Sequence, residues 1–469
     1  MDAQKLWRPL AFVLCAAVPV GFYAVGDATD AFPGVLTLVQ EDTGTDFRPP
    51  AQAEELPRAD PAAMIPLASP SVVDGTGASL DARMSAHAEL PVVHGGLAYA
   101  VVDAQTGTVL AEREADSALV PASTLKLLSA AAVLRARSGE DTLATRAQLD
   151  GSTLTLIGEG DMFLTDQRLG ELADQAAAMV AEHGGGPVAL VLDDTFITEG
   201  TNPAWGANGP AGGWVSPVAA LAIDEGRLDG EQYGAKSADP AGDAAERFAQ
   251  LLRERGVEVT GDVTRGRAAP QDAAKPEVRI ESAPLEEIVR HVLTISDNTG
   301  AELLAYLVAD ARGAEMTPSG ASGAVEAEIR DLAAQLGIPE ADLDALEIHD
   351  GSGLSVQNRV PPRLFAVVLG EVASGGAPEL EPLLYDVPIG GLTGTLAERF
   401  GEPDAASARG IVRGKTGYLS GTATLAGVTT LPDGRTVTFM IAVHGFESTQ
   451  ASEAREAVDL VAAEIARSS

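Results

Sequence analysis

The chain has 469 residues, a formal charge of −36 and an apolar fraction of 45%. That length suggests two or three domains, with enough apolar content to bury real cores. The charge argues against nucleic acid and anionic membrane surfaces as partners. It reflects a salty or acidic-polymer setting, or generic solubility, and names no substrate.

Lys5 and Arg8 precede an apolar run from Pro9 to Gly26. This is the layout of an export signal, although its length also approaches that of a spanning helix. No A-x-A cleavage site follows, so residues 1–26 are expected to be a signal peptide or a membrane anchor. Cys15, the one cysteine, lies in this run behind Leu14, a poor lipidation context, and the exported part therefore has no disulfide. The folded part is expected outside the cytoplasm, in the cell envelope, secreted or anchored by the N-terminal segment. Residues 27–80 mix acidic residues with Pro, Ala, Gly and Ser, without periodicity, and read as a disordered linker.

A hairpin is predicted next, from Leu97–Val102 through a turn at Asp103–Gly107 to Thr108–Ala111. Pro121 opens a helix over Ala122–Arg137 that is apolar on most faces and therefore buried. From 144 to 280 the texture changes to short strands and Gly-rich turns, such as Leu154–Ile157 and Val188–Leu192, with one clear helix at Asp243–Arg255. Helical patterning resumes at Pro284–Ser296, Ala301–Arg312 and Val325–Leu336. A second hairpin, Thr422–Leu431 and Arg435–His444 around Pro432-Asp433-Gly434, leads to a final helix at Ala451–Arg467. First and last elements are the right types to pair in one antiparallel sheet flanked by helices.

Five lysines stand against 27 arginines, and two of the five lie in Ser123-Thr124-Leu125-Lys126 and Lys415-Thr416-Gly417. An arginine stays protonated, whereas burial can strip a lysine of its proton and make it a base. Ser123 and Lys126, three apart on a predicted helix, share a face about 4.5 Å apart along the axis. A serine hydroxyl needs such a base, and the nearby helix N-terminus favours an oxyanion. Alone, S-x-x-K is a weak signal. Ser296-Asp297-Asn298 follows a helix end; Ser296 could relay a proton between Lys126 and a leaving group, and the Asn298 amide could bind substrate backbone. Alone, this tripeptide reads as a helix-to-helix turn with Asn as cap. Gly414-Lys415-Thr416-Gly417-Tyr418 would offer charge and a hydroxyl to a substrate carboxylate, with the Tyr418 N–H as an oxyanion donor beside that of Ser123. A Walker A loop is rejected because Arg409 fills its first glycine position and a strand follows.

In combination, the order S-x-x-K, S-x-N, K-T-G is that of penicillin-binding proteins and class A β-lactamases. From about residue 80 to 469 the chain resembles the class C, PBP4-like D-alanyl-D-alanine carboxypeptidases/endopeptidases of peptidase family S13. The resemblance rests on Pro121–Lys126, Ser216–Leu221, Ser296–Glu302, Asp350–Ser355, Pro388–Gly391 with Gly394–Leu396, and the Lys415 segment. It implies an α/β (α+β) protein of the serine β-lactamase/DD-peptidase fold, with a strand-rich domain inserted in the 173 residues between Ser123 and Ser296. Residues 81–143 and 281–469 would form the catalytic domain and 144–280 the insert. It further implies Ser123, Lys126, Ser296 and Asn298 as catalytic residues, and Lys415, Thr416, Gly417 and Tyr418 as the substrate-binding set. Peptidoglycan stem peptides and β-lactams would be the partners, with no metal or organic cofactor. A β-lactamase and a silent wall-binding protein are the alternatives.

The remaining candidates are weaker. No two of the six histidines stand at metal-ligand spacing. His349-Asp350-Gly351-Ser352-Gly353 reads as a Gly-rich loop at the cleft rim, not a triad. Trp205 and Trp214 are expected to pack the insert, and Gly158-Glu159-Gly160-Asp161 to be a turn.

Overall fold

The computed structural model describes residues 79–94, 96–268 and 275–468. The expected signal or anchor and nearly all of the expected linker lie outside the described residues. Among the described residues, no helix is long and apolar enough to cross a membrane.

In chain order, helix α1 (Leu80–Ala86) leads into β1 (Leu97–Asp103) and β2 (Val109–Arg113). Helix α2 (Leu125–Ala136) precedes β3 (Ala144–Asp150), β4 (Thr153–Gly158) and β5 (Asp161–Leu164). Helix α3 (Asp166–Glu182), β6 (Val188–Asp193), β7 (Leu221–Ile223), α4 (Pro240–Glu254), β8 (Val259–Arg265) and β9 (Glu277–Glu281) follow. Helices α5 (Leu285–Ile295), α6 (Asn298–Arg312), α7 (Pro318–Gln335) and α8 (Pro362–Ala373) come next. The chain ends with β10 (Arg413–Leu419), β11 (Thr422–Thr430), β12 (Thr436–His444) and α9 (Ala451–Ala466).

The first sheet has the order β10-β11-β12-β1-β2, antiparallel throughout, so the first strand pairs with the last. Every residue of β1 is buried, which is why Leu97–Val102 is a continuous apolar run. Its alternate side chains face opposite ways. Leu97, Tyr99 and Val101 join Val458 and Val461 of α9 in one cluster, while Ala100 and Val102 meet Ala366 of α8.

The second sheet, β8-β6-β4-β3-β9, is mixed: β4, β6 and β8 run parallel, and β3 pairs antiparallel with β4 and β9. It comes from the stretch expected as an insertion, but its core is not separate. Leu154, Leu190 and Phe248 belong to the same buried cluster as Leu128 of α2, Leu293 of α5 and Leu303 of α6. This stretch also holds a second helix, α3, where one had been expected. Thr165 caps it by accepting from Arg168 N, and Leu169, Leu172, Ala173, Ala176, Met179 and Val180 form its buried stripe. Helix α8, likewise unanticipated, starts with Pro362 at its first position.

Helix α2 is buried on every face from Leu125 to Leu134. Each such leucine contributes about 1.5–3 kcal/mol, so the helix is a fixed post. Helix α6 is anchored by Asp297, whose carboxylate accepts from Thr299 N and Gly300 N.

Candidate active site

Ser123 sits in a single 3₁₀ turn, Ala122–Thr124, immediately before α2 rather than inside it. The hydroxyls of Thr124 and Thr424 both donate to the Pro121 carbonyl, at 2.6 and 2.9 Å, and pin the turn. Ala122 has φ 48°, a left-handed conformation that costs a non-glycine residue about 1–3 kcal/mol. Gly353 makes room for it: a Cβ there would lie 2.0 Å from Ala122 O.

Lys126, on the first turn of α2, is fully buried. Its Nζ lies 3.0 Å from Ser123 Oγ, 2.8 Å from Asn298 Oδ1 and 2.7 Å from Ser352 O. The last two atoms can only accept. A neutral amine therefore spends its two hydrogens on them and turns its lone pair to the Ser123 hydroxyl. Burial lowers the Lys126 pKa to about 8, against the opposing charges of Asp297, Asp350 and Glu302.

Asn298 is the first residue of α6. Its Nδ2 donates to Trp214 O at 2.8 Å, which fixes the amide so that Oδ1 faces Lys126. Both ends of this amide are thus engaged by protein. Ser296 caps α5 in a left-handed conformation, φ 64°, and its Oγ accepts from Lys415 Nζ at 2.8 Å. Lys415 is fully buried and also donates to Thr416 O. Burial, and then the charge of Lys126, push its pKa well below the ordinary lysine value.

Lys415, Thr416, Gly417 and Tyr418 lie on β10, an edge strand. Gly414 N donates outward to Pro388 O, away from β11. The two-residue alternation of an antiparallel edge then turns the N–H groups of Thr416 and Tyr418 to the same open side. The strand runs hard against the serine turn: a Cβ on Gly417 would lie 2.2 Å from Thr424 Oγ1 and 3.0 Å from Ser123 N. The Tyr418 ring packs on Phe446 beneath the Arg455 guanidinium.

Several contributors escaped the sequence reading. Thr395 Oγ1 is 2.7 Å from Thr416 Oγ1, doubling the hydroxyls beside Lys415. The 350–355 loop is the floor under Lys126 and not the rim. Asp350 is 1% exposed and accepts from Gly353 N, Ser355 N and Asn358 Nδ2. Glu302, below it, accepts from Gly351 N, Ser352 N and Trp205 Nε1. Burial first, and then Asp350, push the Glu302 pKa up to about 7. Trp205 packs as expected, whereas Trp214 is 44% exposed and serves through its carbonyl. No sequence signal marks a carbonyl donated by Ser352 or Trp214, since any residue type supplies one. Glu159 and Gly160 form the short link between β4 and β5.

A profile of the D-Ala-D-Ala carboxypeptidase 3 (S13) family matches residues 78–237 and 228–465. A carboxypeptidase of Mycobacterium tuberculosis is 31% identical, over 98% of this chain and 97% of its own. Carboxypeptidase DacB of Mycolicibacterium smegmatis is 33% identical, over 77% of this chain and 78% of its own. The crystal structure of penicillin-binding protein 4 from Haemophilus influenzae superposes with a TM-score of 0.68 at 20% identity, covering 82% of this chain and 99% of that one. That likeness shows the serine DD-peptidase fold. The family profile runs through both five-stranded sheets and all the motif segments, and the chain therefore belongs to the D-Ala-D-Ala carboxypeptidase 3 (S13) family of peptidases.

Proposed function

We propose that Ser123 is the acylated nucleophile of this D-Ala-D-Ala carboxypeptidase and that Lys126 is its base. The observation that carries this is the amine itself, fully buried, with two pure acceptors and the serine hydroxyl as its three partners. A placed base of this kind contributes about 10²–10⁴ in rate.

The terminal carboxylate of the peptide would be gripped by Lys415, Thr416 and Thr395. As it enters, its charge would restore the proton that burial disfavours on Lys415. The scissile carbonyl oxygen would then sit between the N–H groups of Ser123 and Tyr418. Ser123 Oγ bonds to the carbonyl carbon while its proton passes to Lys126 Nζ. The carbon–nitrogen bond to the terminal D-Ala breaks as its nitrogen receives that proton from Lys126 by way of the Ser296 hydroxyl. Lys415 holds the oxygen of Ser296, leaving its hydrogen free to be donated. Water, deprotonated by Lys126, then hydrolyses the ester and frees Ser123. Gly417 keeps β10 close enough for Tyr418 to take part. A D-amino-acid cross-bridge would enter the same cycle and give endopeptidase activity. The site lies on an extracytoplasmic enzyme, and residues 1–26 would export or tether it.

Incubation with a fluorescent penicillin should label one peptide, containing Ser123, and a stem pentapeptide should lose its terminal D-Ala. Labelling at another residue, or D-Ala release by Ser123→Ala, would overturn the assignment. The lifetime of the penicilloyl adduct separates a peptidase, with slow turnover, from a β-lactamase.

A further inference from the structure

Three consecutive residues at the start of α6 are each held by one short stretch of the inserted segment. Asn298 Nδ2 donates to Trp214 O, Thr299 Oγ1 accepts from Ser216 N at 3.0 Å, and a carboxyl oxygen of Asp297 lies within 4.8 Å of one of Glu225, whose Oε2 is buried with no other partner. Glu225 is 2% exposed. It stands in the middle of three successive left-handed residues, with φ 45° at Asp224, 55° at Glu225 and 73° at Gly226. Non-glycine residues adopt that conformation at a cost, and here the strained turn aims one carboxyl at another.

Two buried carboxylates do not face each other with both ionised; one proton is shared between them. Asp297 is the ionised partner, since it accepts the N–H groups of Thr299 and Gly300 at a helix N-terminus. Glu225 therefore carries the proton. Burial, then the charge of Asp297, raises its pKa well above the ordinary value. Asp297 is held low in spite of burial by the bond from Glu225 and by the charges of His291 and Arg227. Arg227 Nη2 lies 2.5 Å from Glu225 Oε1 and 3.6 Å from Asp297 Oδ1, and His291 Nε2 lies 3.7 Å from Glu225 Oε1. Asp224, Lys236 and Tyr233 complete the titratable surroundings. The carboxylates and the imidazole lie within 4.8 Å of one another, a spacing that could hold a metal ion. The guanidinium of Arg227 already stands against both carboxyls, so an organic cation and a proton neutralise the pair.

We infer that Glu225 is a positioning residue for D-Ala-D-Ala cleavage: its proton bridge to Asp297 fixes the Ser296–Asn298 turn and, through Asn298, the direction of the Lys126 amine. This rests on the assignment of Ser123 and Lys126 as nucleophile and base. The insert thereby helps build the catalytic cleft.

The test is the rate at which a fluorescent penicillin acylates Ser123, followed from mildly acid to alkaline pH, in the wild type, Glu225→Gln and Glu225→Ala. The wild type should rise as Lys126 loses its proton and fall again when Glu225 ionises against Asp297. Glu225→Gln, whose amide donates to Asp297 but does not titrate, should stay within about threefold of wild type at neutral pH and lose only the alkaline fall. Glu225→Ala should lose about tenfold or more at every pH. Should Ala prevent folding, the Gln profile alone decides, because a merely structural glutamate would leave the alkaline limb in place. An unchanged alkaline limb in Glu225→Gln overturns the inference, as does an Ala variant within about threefold of wild type. Calorimetric binding of Mn²⁺ or Zn²⁺ by the wild type but not by Glu225→Gln, with faster acylation, also overturns it in favour of a metal. A wild type that is never labelled at Ser123 removes the underlying assignment, and the inference with it.

Discussion

The backbone carbonyl of Ser352 accepts a 2.7 Å hydrogen bond from Lys126 and, with Asn298 Oδ1, leaves the amine one direction in which to aim its lone pair. The carbonyl is itself held from below, because Glu302 accepts the N–H groups of Gly351 and Ser352. Lys126→Arg tests this arrangement. A guanidinium keeps the charge but does not release its proton, and its planar fork does not fit the two acceptors and one hydroxyl arranged around this amine. Acylation by penicillin should fall by about 10³-fold or more. A variant retaining a substantial share of wild-type acylation would show that Lys126 supplies charge and not a base.

The pH dependence follows from the same residue. Lys126 has its pKa lowered to about 8 by burial, so below that value the free enzyme holds mostly ammonium, the unreactive form. The acylation rate should then climb about tenfold per pH unit between pH 6 and 7 and stop climbing near pH 8, before the alkaline fall that ionisation of Glu225 would bring. The folded-state pKa lies below the unfolded lysine value, so the unfolded chain binds more protons between the two. Lys126 therefore makes the fold more stable as pH rises through that window. A rate flat from mildly acid to neutral pH would remove Lys126 as the titrating base.

The meeting of the motif side chains was legible because it depends on side-chain type at short spacing. Ser123 and Lys126 needed only a helical turn to meet, and the 422–444 hairpin was bounded by its Pro-Asp-Gly turn. The rest was hidden for physical reasons. Helix α3 was missed although Thr165, then Leu169, Leu172, Ala173 and Ala176, carried a cap and a stripe; flanking Gly-rich strands masked them. Glu225 and Asp297 are 72 positions apart, and only the fold brings them together. The 350–355 loop looked exposed by its glycines, yet those glycines allow the backbone to tuck beneath Lys126.

Gly417 is required for space. A methyl group there would stand 2.9 Å from Pro121 O in addition to its clashes with Thr424 and the Ser123 turn. All these are backbone or pinned groups, so β10 itself must move, carrying the Tyr418 N–H away. Gly417→Ala should cost about 10²–10³ in acylation, the effect of losing one oxyanion donor. The melting temperature should drop by much less than that loss would suggest. Near-normal acylation in the variant would mean that Tyr418 is no part of the oxyanion site.

Thr395 separates carboxylate recognition from chemistry. Its hydroxyl is 2.7 Å from that of Thr416, and losing one such neutral hydrogen bond costs about 0.5–1.5 kcal/mol. Thr395→Val should raise KM for a peptide ending in D-Ala by about three- to tenfold with little change in kcat. A substrate amidated at its C-terminus should be insensitive to the change. An equal fall in kcat for both substrates would place Thr395 in the chemical step instead.

The loop that carries Thr395 is in turn fastened to α9. Asp459 accepts from Arg399 Nε at 2.9 Å and Nη2 at 2.7 Å, and from the Phe400 N–H at 3.1 Å. Phe400 is buried in a left-handed conformation, φ 60°, and its ring lies 2.9 Å from where a Cβ of Gly390 would be. Strain at Phe400 is thus held in place by one carboxylate. Asp459→Ala strands the Arg399 charge and frees that backbone together, and should lower stability by about 3–5 kcal/mol. Denaturant unfolding measures this. At low temperature the folded variant should still be labelled at Ser123 by penicillin, since neither Arg399 nor Asp459 touches the serine turn. Loss of labelling in a fully folded variant would instead tie this salt bridge to the geometry of the nucleophile.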